Sequence, residues 1–376
     1  MNIAELLPEL VKGFSNFTWG NFVMIIAALV LIYLAVFKEI EPVLLLPIGF
    51  GCLVANIPLG GLTANVDGMM GVLYDAGIRT ELFPLLIFVG VGAMIDFSPL
   101  LSQPKMALLG AAGQFGIYGT LILAVLIGFP LNQAASIGVI GAIDGPTSIF
   151  VATKLAPELL APIAVAAYSY MSLIPIIQPP IMKAMTTKKE RLIRMEYAPR
   201  PVSPKALLLF PVLLTLVVGL LVPEATPLIS MLMLGNLLKV SGVVDRLSKS
   251  AQNEIINIAT LFLGLAIGAT MEAGTFLSVT TLKILGLGLL AFVLDTVAGL
   301  LFGKLMAVMS GYKINPLIGA SGISAFPMAG RIAARMAHEE DPDNFILMHA
   351  MGANTAGQLG SVIAGGILLA IVLNLV

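Results

Sequence analysis

Residues 139–152 read VIGAIDGPTSIFVA, an apolar stretch with a carboxylate and a Gly-Pro pair at its centre. Pro146 breaks an α-helix, because it has no N–H group and its ring clashes with the preceding turn. A charged side chain at membrane depth is costly, so Asp144 needs a structural or functional reason to lie there. The stretch therefore predicts a broken segment inside a membrane protein, with Asp144 at the break.

The whole chain has the composition of a polytopic membrane protein. Of its 376 residues, 58% are hydrophobic and 11% are charged, whereas about a quarter of the residues in soluble domains are charged. Segments of about 20 apolar residues can cross a bilayer as helices. The sequence predicts an all-α fold with about ten transmembrane helices, at 21–37, 43–58, 83–98, 106–129, 158–184, 205–222, 226–239, 252–271, 282–306 and 344–375.

The two halves of the chain resemble each other. The stretch VGVGAMIDFSPLL (89–101) matches LGLAIGATMEAGTFL (263–277), and in each half a long span, a broken segment and a final span follow. The aligned glycines differ by 176, 178 and 184 residues (Gly92 with Gly268, Gly141 with Gly319, Gly51 with Gly235). We predict an amphipathic N-terminal segment (1–20), membrane repeat 1 (21–184), a basic linker (185–204) and membrane repeat 2 (205–376).

Each repeat contains one segment that is polar and rich in Gly and Pro at its centre, and we call these segments hairpin 1 (133–157) and hairpin 2 (313–340). Paired broken segments are the sequence sign of a transport site in inverted-repeat transporters. If both are re-entrant, each repeat crosses the membrane an odd number of times and the repeats are inverted. Seven Lys/Arg against two Glu in 183–205 place the linker in the cytoplasm. Hairpin 1 then enters from outside and hairpin 2 from the cytoplasm.

The hairpin tips carry the candidate ligands. Asp144 suits Na⁺ or a proton, because hard cations prefer oxygen ligands. The alternative is that Asp144 only caps a half-helix or pairs with a basic residue for packing. Hairpin 2 contains Asn315, Gly319 and Ser324, and the span after it contains Asn354; their amide and hydroxyl oxygens are neutral ligands that bind a cation weakly enough to release it.

Three other polar residues have more than one interpretation. Arg331, on the cytoplasmic arm of hairpin 2, suits an anionic ligand because its guanidinium pairs a carboxylate bidentately; the alternative is a juxtamembrane arginine that only sets topology. Asp295 is predicted to be buried with a partner that the sequence does not identify. His349 is predicted to be a packed polar residue and not a metal ligand.

The motifs of ATP-driven and hydrolytic enzymes are absent from the sequence: it contains no Walker A, HExxH or Gly-x-Ser-x-Gly pattern. The residues alone therefore predict a cation-coupled transporter with inverted repeats.

Three motifs in order, GAIDGPTSIF (141–150), SYMSLIPIIQPPIMK (169–183) and INPLIGASGISAFPMAGR (314–331), resemble the β subunit of biotin-dependent, sodium-translocating decarboxylases of the oxaloacetate, methylmalonyl-CoA and glutaconyl-CoA type. The resemblance implies a multi-pass protein of the bacterial cytoplasmic membrane that decarboxylates carboxybiotin, consumes a proton and exports Na⁺. It implies that carboxybiotin arrives on a separate carrier protein, with no biotin attached to this chain.

By motif match, the resemblance also implies roles for individual residues. Asp144, Tyr170 and Arg331 are expected to be catalytic, and Arg331 and Ser324 to hold carboxybiotin. The expected Na⁺ ligands are Asp144, Asn315, Gly319, Ser324 and Asn354.

The partners that the resemblance implies are a carboxyltransferase α subunit, the biotin carrier protein, a small membrane γ or δ subunit, further β subunits and lipid, with no nucleic acid. The chain is short for an oxaloacetate-type β subunit, which favours an acyl-CoA substrate for the complex. A Na⁺-coupled secondary carboxylate transporter is the alternative function, and a non-catalytic membrane scaffold is a third.

Overall fold

The computed structural model describes residues 11–63, 68–196, 201–325 and 327–375, apart from the side chains of Ser172 and Thr275. Residues 1–10 of the predicted N-terminal segment and 197–200 of the predicted linker lie outside the described residues. Throughout the described ranges the regular structure is helical, with no β-strand. The prediction of an all-α polytopic membrane protein is confirmed.

Thirteen helices of eight or more residues make up most of the described chain. They are α1 (Trp19–Phe37), α2 (Pro42–Ala55), α3 (Leu82–Met94), α4 (Pro104–Leu126), α5 (Leu131–Gly138), α6 (Gly145–Leu155), α7 (Leu160–Met185), α8 (Pro204–Leu221), α9 (Thr226–Ser241), α10 (Asp245–Ala269), α11 (Val279–Met309), α12 (Met328–Glu340) and α13 (Leu347–Leu373). Short helical segments lie at Lys12–Ser15, Met69–Leu73, Tyr74–Arg79, Ser98–Ser102, Val139–Ala142, Pro157–Leu159, Lys188–Arg191, Pro223–Ala225, Ala273–Phe276 and Pro316–Gly322.

The predicted count of ten membrane spans is not confirmed. Six helices of the described chain are long and apolar enough to cross a membrane (α1, α4, α8, α10, α11 and α13), and the number rises to eight if each of two bent helix pairs is one span. Two predicted spans, 43–58 and 226–239, fall on α2 and α9, which have 14 and 16 residues. Both are shorter than the ~20 residues that an upright transmembrane helix needs.

The predicted straight span at 158–184 is bent. The axes of Pro157–Met171 and Leu173–Met185 differ by 62°, and α7 contains Pro175, Pro179 and Pro180. Pro175 has no N–H group to donate to the carbonyl four residues earlier, which explains a sharp kink at this point. The second bent pair, Met69–Arg79 with Leu82–Met94, differs by 59°.

Small residues let helices from the two halves approach closely. A Cβ atom on Gly51 in α2 would lie 3.0 Å from the Cα atom of Gly268 in α10, and one on Gly235 in α9 would lie 2.8 Å from the backbone nitrogen of Ala93 in α3. The two contacts correspond. Gly235 is related to Gly51 by the offset of 184 residues, and Gly92, the neighbour of Ala93, is related to Gly268 by the offset of 176 residues.

The same offsets relate a second pair of contacts. The side chain of Cys52 in α2 donates to the carbonyl of Met271 (3.8 Å), and the side chain of Asn236 in α9 donates to the carbonyl of Ile95 (3.1 Å). Corresponding helices of the two halves therefore pack in corresponding ways, and together they form a four-helix layer of α2, α3, α9 and α10.

Hairpin 1 brings its two ends together. Its arms are α5 and α6, and the side-chain amide of Asn132 donates to the carbonyl of Leu155 (2.9 Å), while that of Gln133 donates to the carboxylate of Glu158 (2.8 Å). Between the arms, Ile143 adopts the left-handed conformation with φ 54°. The chain therefore reverses direction at Ile143 and Asp144.

Hairpin 2 also brings its two ends together. Asn315 precedes the 3₁₀ helix Pro316–Gly322, and Asn344 follows α12. Both asparagine side chains donate to the carbonyls of Arg191 and Ile193 in the linker, at 2.9–3.2 Å. Both ends of hairpin 2 are therefore fixed to the same turn of the linker.

Two ion pairs strengthen this attachment. Arg191 donates to the carboxylate of Glu340 from Nε (2.8 Å) and from Nη2 (2.7 Å), and both side chains are mostly buried. Arg194 pairs with Asp341 (2.6 Å) but its side chain is 59% exposed. The hydrogen bond from Arg194 lowers the pKa of Asp341. Ion pairs that are buried cost more to break than exposed ones.

We predict unequal losses of stability when the two pairs are broken. Glu340→Gln should destabilise the folded protein by about 2 kcal/mol, because Arg191 is left with a buried, uncompensated charge. Asp341→Asn is the matched control and should have a smaller effect, because water solvates Arg194. Thermal unfolding in detergent measures both. Equal midpoints for the two variants would contradict the attachment by the buried pair.

Candidate functional site

Asp144 lies at the tip of hairpin 1 and caps α6. Its backbone is extended, and its carboxylate accepts hydrogen bonds from the backbone N–H (3.3 Å) and the hydroxyl (2.8 Å) of Thr147. An N-cap carboxylate satisfies N–H groups that have no partner within the helix. Pro146 is the second residue of the helix, in the first turn, where its missing N–H costs nothing. The local sequence Asp-Gly-Pro-Thr therefore ends one arm and starts the next.

The carboxylate of Asp144 is surrounded by neutral donors. Its Oδ2 atom accepts from Thr147 Oγ1, from Gln358 Nε2 and from Ser361 Oγ, each at 2.8 Å. Asp144 is 5% exposed, and no Lys or Arg of the described chain forms an ion pair with it. A buried charge without a counter-charge is expensive. Asp144 therefore suits a bound cation or a proton.

A cavity of about 250 Å³ adjoins Asp144. Hairpin 1, hairpin 2, α7 and α13 form one side of it, and α2, α3 and α10 form the other. Two carboxylates and several neutral oxygens face it, and none of the described residues that line it is Lys, Arg or His. The lining residues are Glu41, Val43, Leu44, Ile87, Phe88, Val91, Met94, Ile143, Asp144, Gly145, Pro146, Tyr168, Met171, Ile256, Asn257, Thr260, Ser324, Met328 and Gln358.

The tips of the two hairpins touch. The backbone N–H of Ser324 donates to the carbonyl of Ala142 (3.3 Å), and the hydroxyl of Ser324 donates to the carbonyl of Gly357 in α13 (3.0 Å). Ser324 also lines the cavity. The structure therefore brings Ser324 of the second half close to Asp144 of the first.

Amide side chains hold the backbone of the second tip. Asn354 Nδ2 donates to the carbonyls of Ser321, Ile323 and Ala325 (2.7–3.4 Å), and Gln114 Nε2 donates to the carbonyl of Gly322 (3.4 Å). The Asn354 Oδ1 and Gln114 Oε1 atoms are buried and have no hydrogen-bond partner within the described ranges. Buried oxygens without donors are candidate cation ligands.

Of the predicted Na⁺ ligands, Asn354, Asn315 and Gly319 are not among the cavity-lining residues, and the last two have structural contacts of their own. The side chain of Asn315 is fixed to the linker carbonyls and accepts from the N–H of Leu317 (3.0 Å), so that both ends of its amide are in use. Gly319 packs against α11, where a Cβ atom would clash with the carbonyl of Gly299. Neither residue is among those that line the cavity.

Two of the predicted catalytic residues, Tyr170 and Arg331, also lie outside the cavity lining. The hydroxyl of Tyr170 donates to the carbonyl of Leu285 (2.5 Å), and it is Tyr168, two residues earlier, that lines the cavity and packs against Gly145. Arg331 is exposed on α12, one turn after Met328, which lines the cavity. Arg331 therefore lies beside the cavity on the arm that leads to it.

The two remaining polar residues from the sequence analysis, Asp295 and His349, are both buried. Asp295 is fully buried, and its Oδ1 accepts from the backbone N–H of Gly116, the partner that the sequence did not identify. His349 is 3% exposed. Among the described residues, no group of three or more His, Cys, Asp or Glu side chains could hold a metal ion. The site at Asp144 is therefore built from one carboxylate and neutral oxygens.

Sequence reasoning missed the two donors of α13 as site residues. Gln358 and Ser361 are three residues apart, a spacing that places both on one face of a helix. The spacing of these polar residues in an apolar span was the available signal. Nothing in the sequence indicates that their partner across the interface is Asp144.

The comparisons with known proteins agree with the motifs. A family model described as the Na⁺-transporting oxaloacetate decarboxylase beta subunit matches residues 20–372. The chain belongs to this family. As a family member, it is the membrane subunit of a sodium-transporting, biotin-dependent decarboxylase complex, and the secondary carboxylate transporter is not favoured.

Relatives in this family cover almost the whole chain. The methylmalonyl-CoA decarboxylase subunit beta of Veillonella parvula is 54% identical over 363 residues, with 96% of both chains covered. The glutaconyl-CoA decarboxylase subunit beta of Acidaminococcus fermentans is 51% identical over 361 residues, with the same coverage. The oxaloacetate decarboxylase beta chain of Klebsiella pneumoniae is 46% identical over 431 residues, covering 98% of this chain and 99% of that one.

We predict that Ser361→Ala raises the Na⁺ concentration for half-maximal decarboxylation by about tenfold. A hydrogen bond to a charged group contributes roughly 1.5–3 kcal/mol. Without the bond from Ser361, the charged form of the Asp144 carboxylate is less stable, so a proton displaces Na⁺ from it more easily. The defect should shrink as the pH rises, because fewer protons compete. Ser230→Ala, which removes a hydroxyl bonded to the carbonyl of Pro227 in α9, is the control. An unchanged Na⁺ dependence for Ser361→Ala would contradict the assignment.

Proposed function

We propose that this chain decarboxylates carboxybiotin and exports Na⁺, and that both processes use the carboxylate of Asp144. The observation that supports this most directly is the set of neutral donors around a buried carboxylate at the meeting point of two hairpin tips. Such a carboxylate holds either Na⁺ or a proton. Uptake of a proton at Asp144 would therefore release Na⁺, and the chemistry consumes a proton.

We propose that the fold consists of two inverted repeats, 21–184 and 205–376, around the linker 185–204. The corresponding contacts of α2 with α10 and of α9 with α3 support a duplicated unit. The paired ends of hairpins 133–157 and 313–340 support two re-entrant segments. Backbone that is not helical is tolerated at membrane depth only where protein or a wet cavity surrounds it, and both tips meet this condition.

Among the Na⁺ ligands, we propose that Asp144, Ser324 and Asn354 act directly. Ser324 lines the cavity with Asp144, and Asn354 has a buried oxygen without a donor. We propose that Asn315 and Gly319 contribute by holding hairpin 2 in place. Asn315 joins its base to the linker, and Gly319 allows its 3₁₀ helix to contact α11.

For carboxybiotin, we propose that Arg331 with Ser324 receives the carboxylate. Arg331 is exposed on the arm of hairpin 2, where a carrier protein can reach it, and it is one turn from a residue that lines the cavity. Carboxybiotin supplies a carboxyl group that leaves as CO₂ when its N–C bond breaks, and the ureido nitrogen then takes up one proton. Tyr170 or a protonated Asp144 would supply or relay that proton. Desolvation of the carboxylate inside the protein favours the loss of CO₂.

We propose that the chain works in the bacterial cytoplasmic membrane with a carboxyltransferase α subunit, a biotin carrier protein, a small γ or δ subunit and further copies of itself. An acyl-CoA is the proposed substrate of the complex. The two relatives that act on acyl-CoA substrates are 54% and 51% identical to this chain, whereas the relative that acts on oxaloacetate is 46% identical.

We predict that Asp144→Asn abolishes both Na⁺-dependent decarboxylation and Na⁺ uptake into inverted vesicles, because an amide neither balances the charge of Na⁺ nor carries the coupled proton. Asp96→Asn is the matched control: the exposed carboxylate of Asp96 accepts from the N–H of Ser98 (2.9 Å), and the substitution should leave both activities intact. Loss of only one activity in Asp144→Asn would disprove a shared site.

We predict that labelling of introduced cysteines shows both ends of each hairpin on one side of the membrane. Gln133→Cys and Glu158→Cys should react with an impermeant thiol reagent from outside, and Lys313→Cys and Asp343→Cys from the cytoplasm. The native Cys52 is buried and gives little background. Ends of one hairpin that react from opposite sides would exclude a re-entrant segment.

A further inference from the structure

The cavity next to Asp144 contains a second carboxylate, Glu41, which has no role in the function proposed above. Glu41 lies in the loop between α1 and α2 at the N-cap position of α2, and its side chain makes no capping hydrogen bond to that helix. It lines the cavity together with Asp144. None of the described residues forms an ion pair with it, and partial burial raises its pKa. A half-buried carboxylate without a cationic neighbour calls for an explanation.

The wall around Glu41 has the composition of a cation path. Asn257 and Thr260 of α10 present an amide and a hydroxyl on the same side of the cavity as α2, and Ser324 and Gln358 present further neutral oxygens on the side of Asp144. Low-dielectric walls strengthen the field of a charge inside such a cleft and raise the local concentration of counter-ions. The two carboxylates therefore make the cavity attractive to small cations and repulsive to anions.

Glu41 lies on the side of the fold from which exported Na⁺ enters, the cytoplasmic side. Lys38 lies in the same loop, and Lys239, Arg246 and Lys249 lie around another short connection; the excess of Lys and Arg in cytoplasmic loops places both connections in the cytoplasm. Met94, another lining residue, has its carbonyl bound by Lys239 (2.9 Å). The cavity thus extends from the cytoplasmic ends of α2 and α3, past the middle of α10, to the tip of hairpin 1, the direction in which exported Na⁺ enters.

We propose that Glu41 is an entry residue for Na⁺: it draws the cation from the cytoplasm into the cavity and passes it to Asp144. The proposal rests on the proposed function at Asp144 and adds a residue on the opposite wall of the cavity. The two carboxylates belong to different parts of the fold. Glu41 lies at the start of the helix layer, and Asp144 lies on hairpin 1. Na⁺ that moves from Glu41 to Asp144 therefore leaves the helix layer and reaches hairpin 1.

The test is a Na⁺ titration of decarboxylation by the assembled complex. Glu41→Gln should raise the half-saturating Na⁺ concentration by about tenfold, roughly the effect of one partly solvated charge, with little change in the rate at saturating Na⁺. Glu39→Gln is a close control: Glu39 lies in the same loop, also adopts positive φ, is exposed and does not line the cavity. Its titration should match that of the unaltered protein.

The outcomes separate this proposal from the function on which it rests. An unchanged titration for Glu41→Gln, or a lower maximal rate with unchanged Na⁺ dependence, would overturn the role of Glu41 while the effect of Asp144→Asn stands. Activity that survives in Asp144→Asn would overturn the proposed function instead.

A second measurement does not depend on the folding of Glu41→Gln. A cysteine introduced by Asn257→Cys lies in the cavity wall and should react faster with a cationic thiosulfonate than with an anionic one, after correction for their intrinsic rates, and Na⁺ should slow the cationic reaction. Equal corrected rates for the two reagents would contradict a cation-attracting cavity.

Discussion

The backbone N–H of Ser324 donates to the carbonyl of Ala142, and this hydrogen bond joins two chain reversals from different halves of the sequence. Interrupted helices leave N–H and C=O groups without partners, which is costly where water is absent. Here the side chains of Gln114 and Asn354 and the hydroxyl of Ser324 bind carbonyls around the second tip. The site depends on these hydrogen bonds, because without them neither reversal could remain inside the protein.

The surroundings of Asp144 explain how chemistry and transport can share one group. Within the described part of the chain its oxygens accept only from neutral donors, so the protein fixes the position of the carboxylate without neutralising its charge. In the function proposed above, the neutralising cation comes from solution, either as Na⁺ or as a proton. A lysine or arginine at the same place would hold the charge permanently and remove the competition between the two.

The sequence predicts the parts of this site that depend on local chemistry. Pro, Gly and apolar runs predict the break at Asp144, the paired hairpins and the all-α class. Gln358 and Ser361, in contrast, bind Asp144 from more than 200 positions away in the sequence, and no local pattern indicates that they pair with it. Tyr168 and Tyr170 show the same limit, because the kinked helix α7 decides which of them faces the cavity. The predicted spans at α2 and α9 are not confirmed, because these helices have only 14 and 16 residues, and their short lengths suit close packing at glycines.

The hydrogen bonds between hairpin 2 and the linker limit the changes that the linker can tolerate. A basic segment between two duplicated halves would ordinarily be a good place for an epitope tag or an inserted domain, because few contacts cross such a joint. Here the carbonyls of Arg191 and Ile193 bind Asn315 and Asn344 together. An insertion between residues 191 and 193 would separate the two ends of a segment whose tip contacts hairpin 1 beside Asp144, so this joint is as intolerant of added length as the protein core.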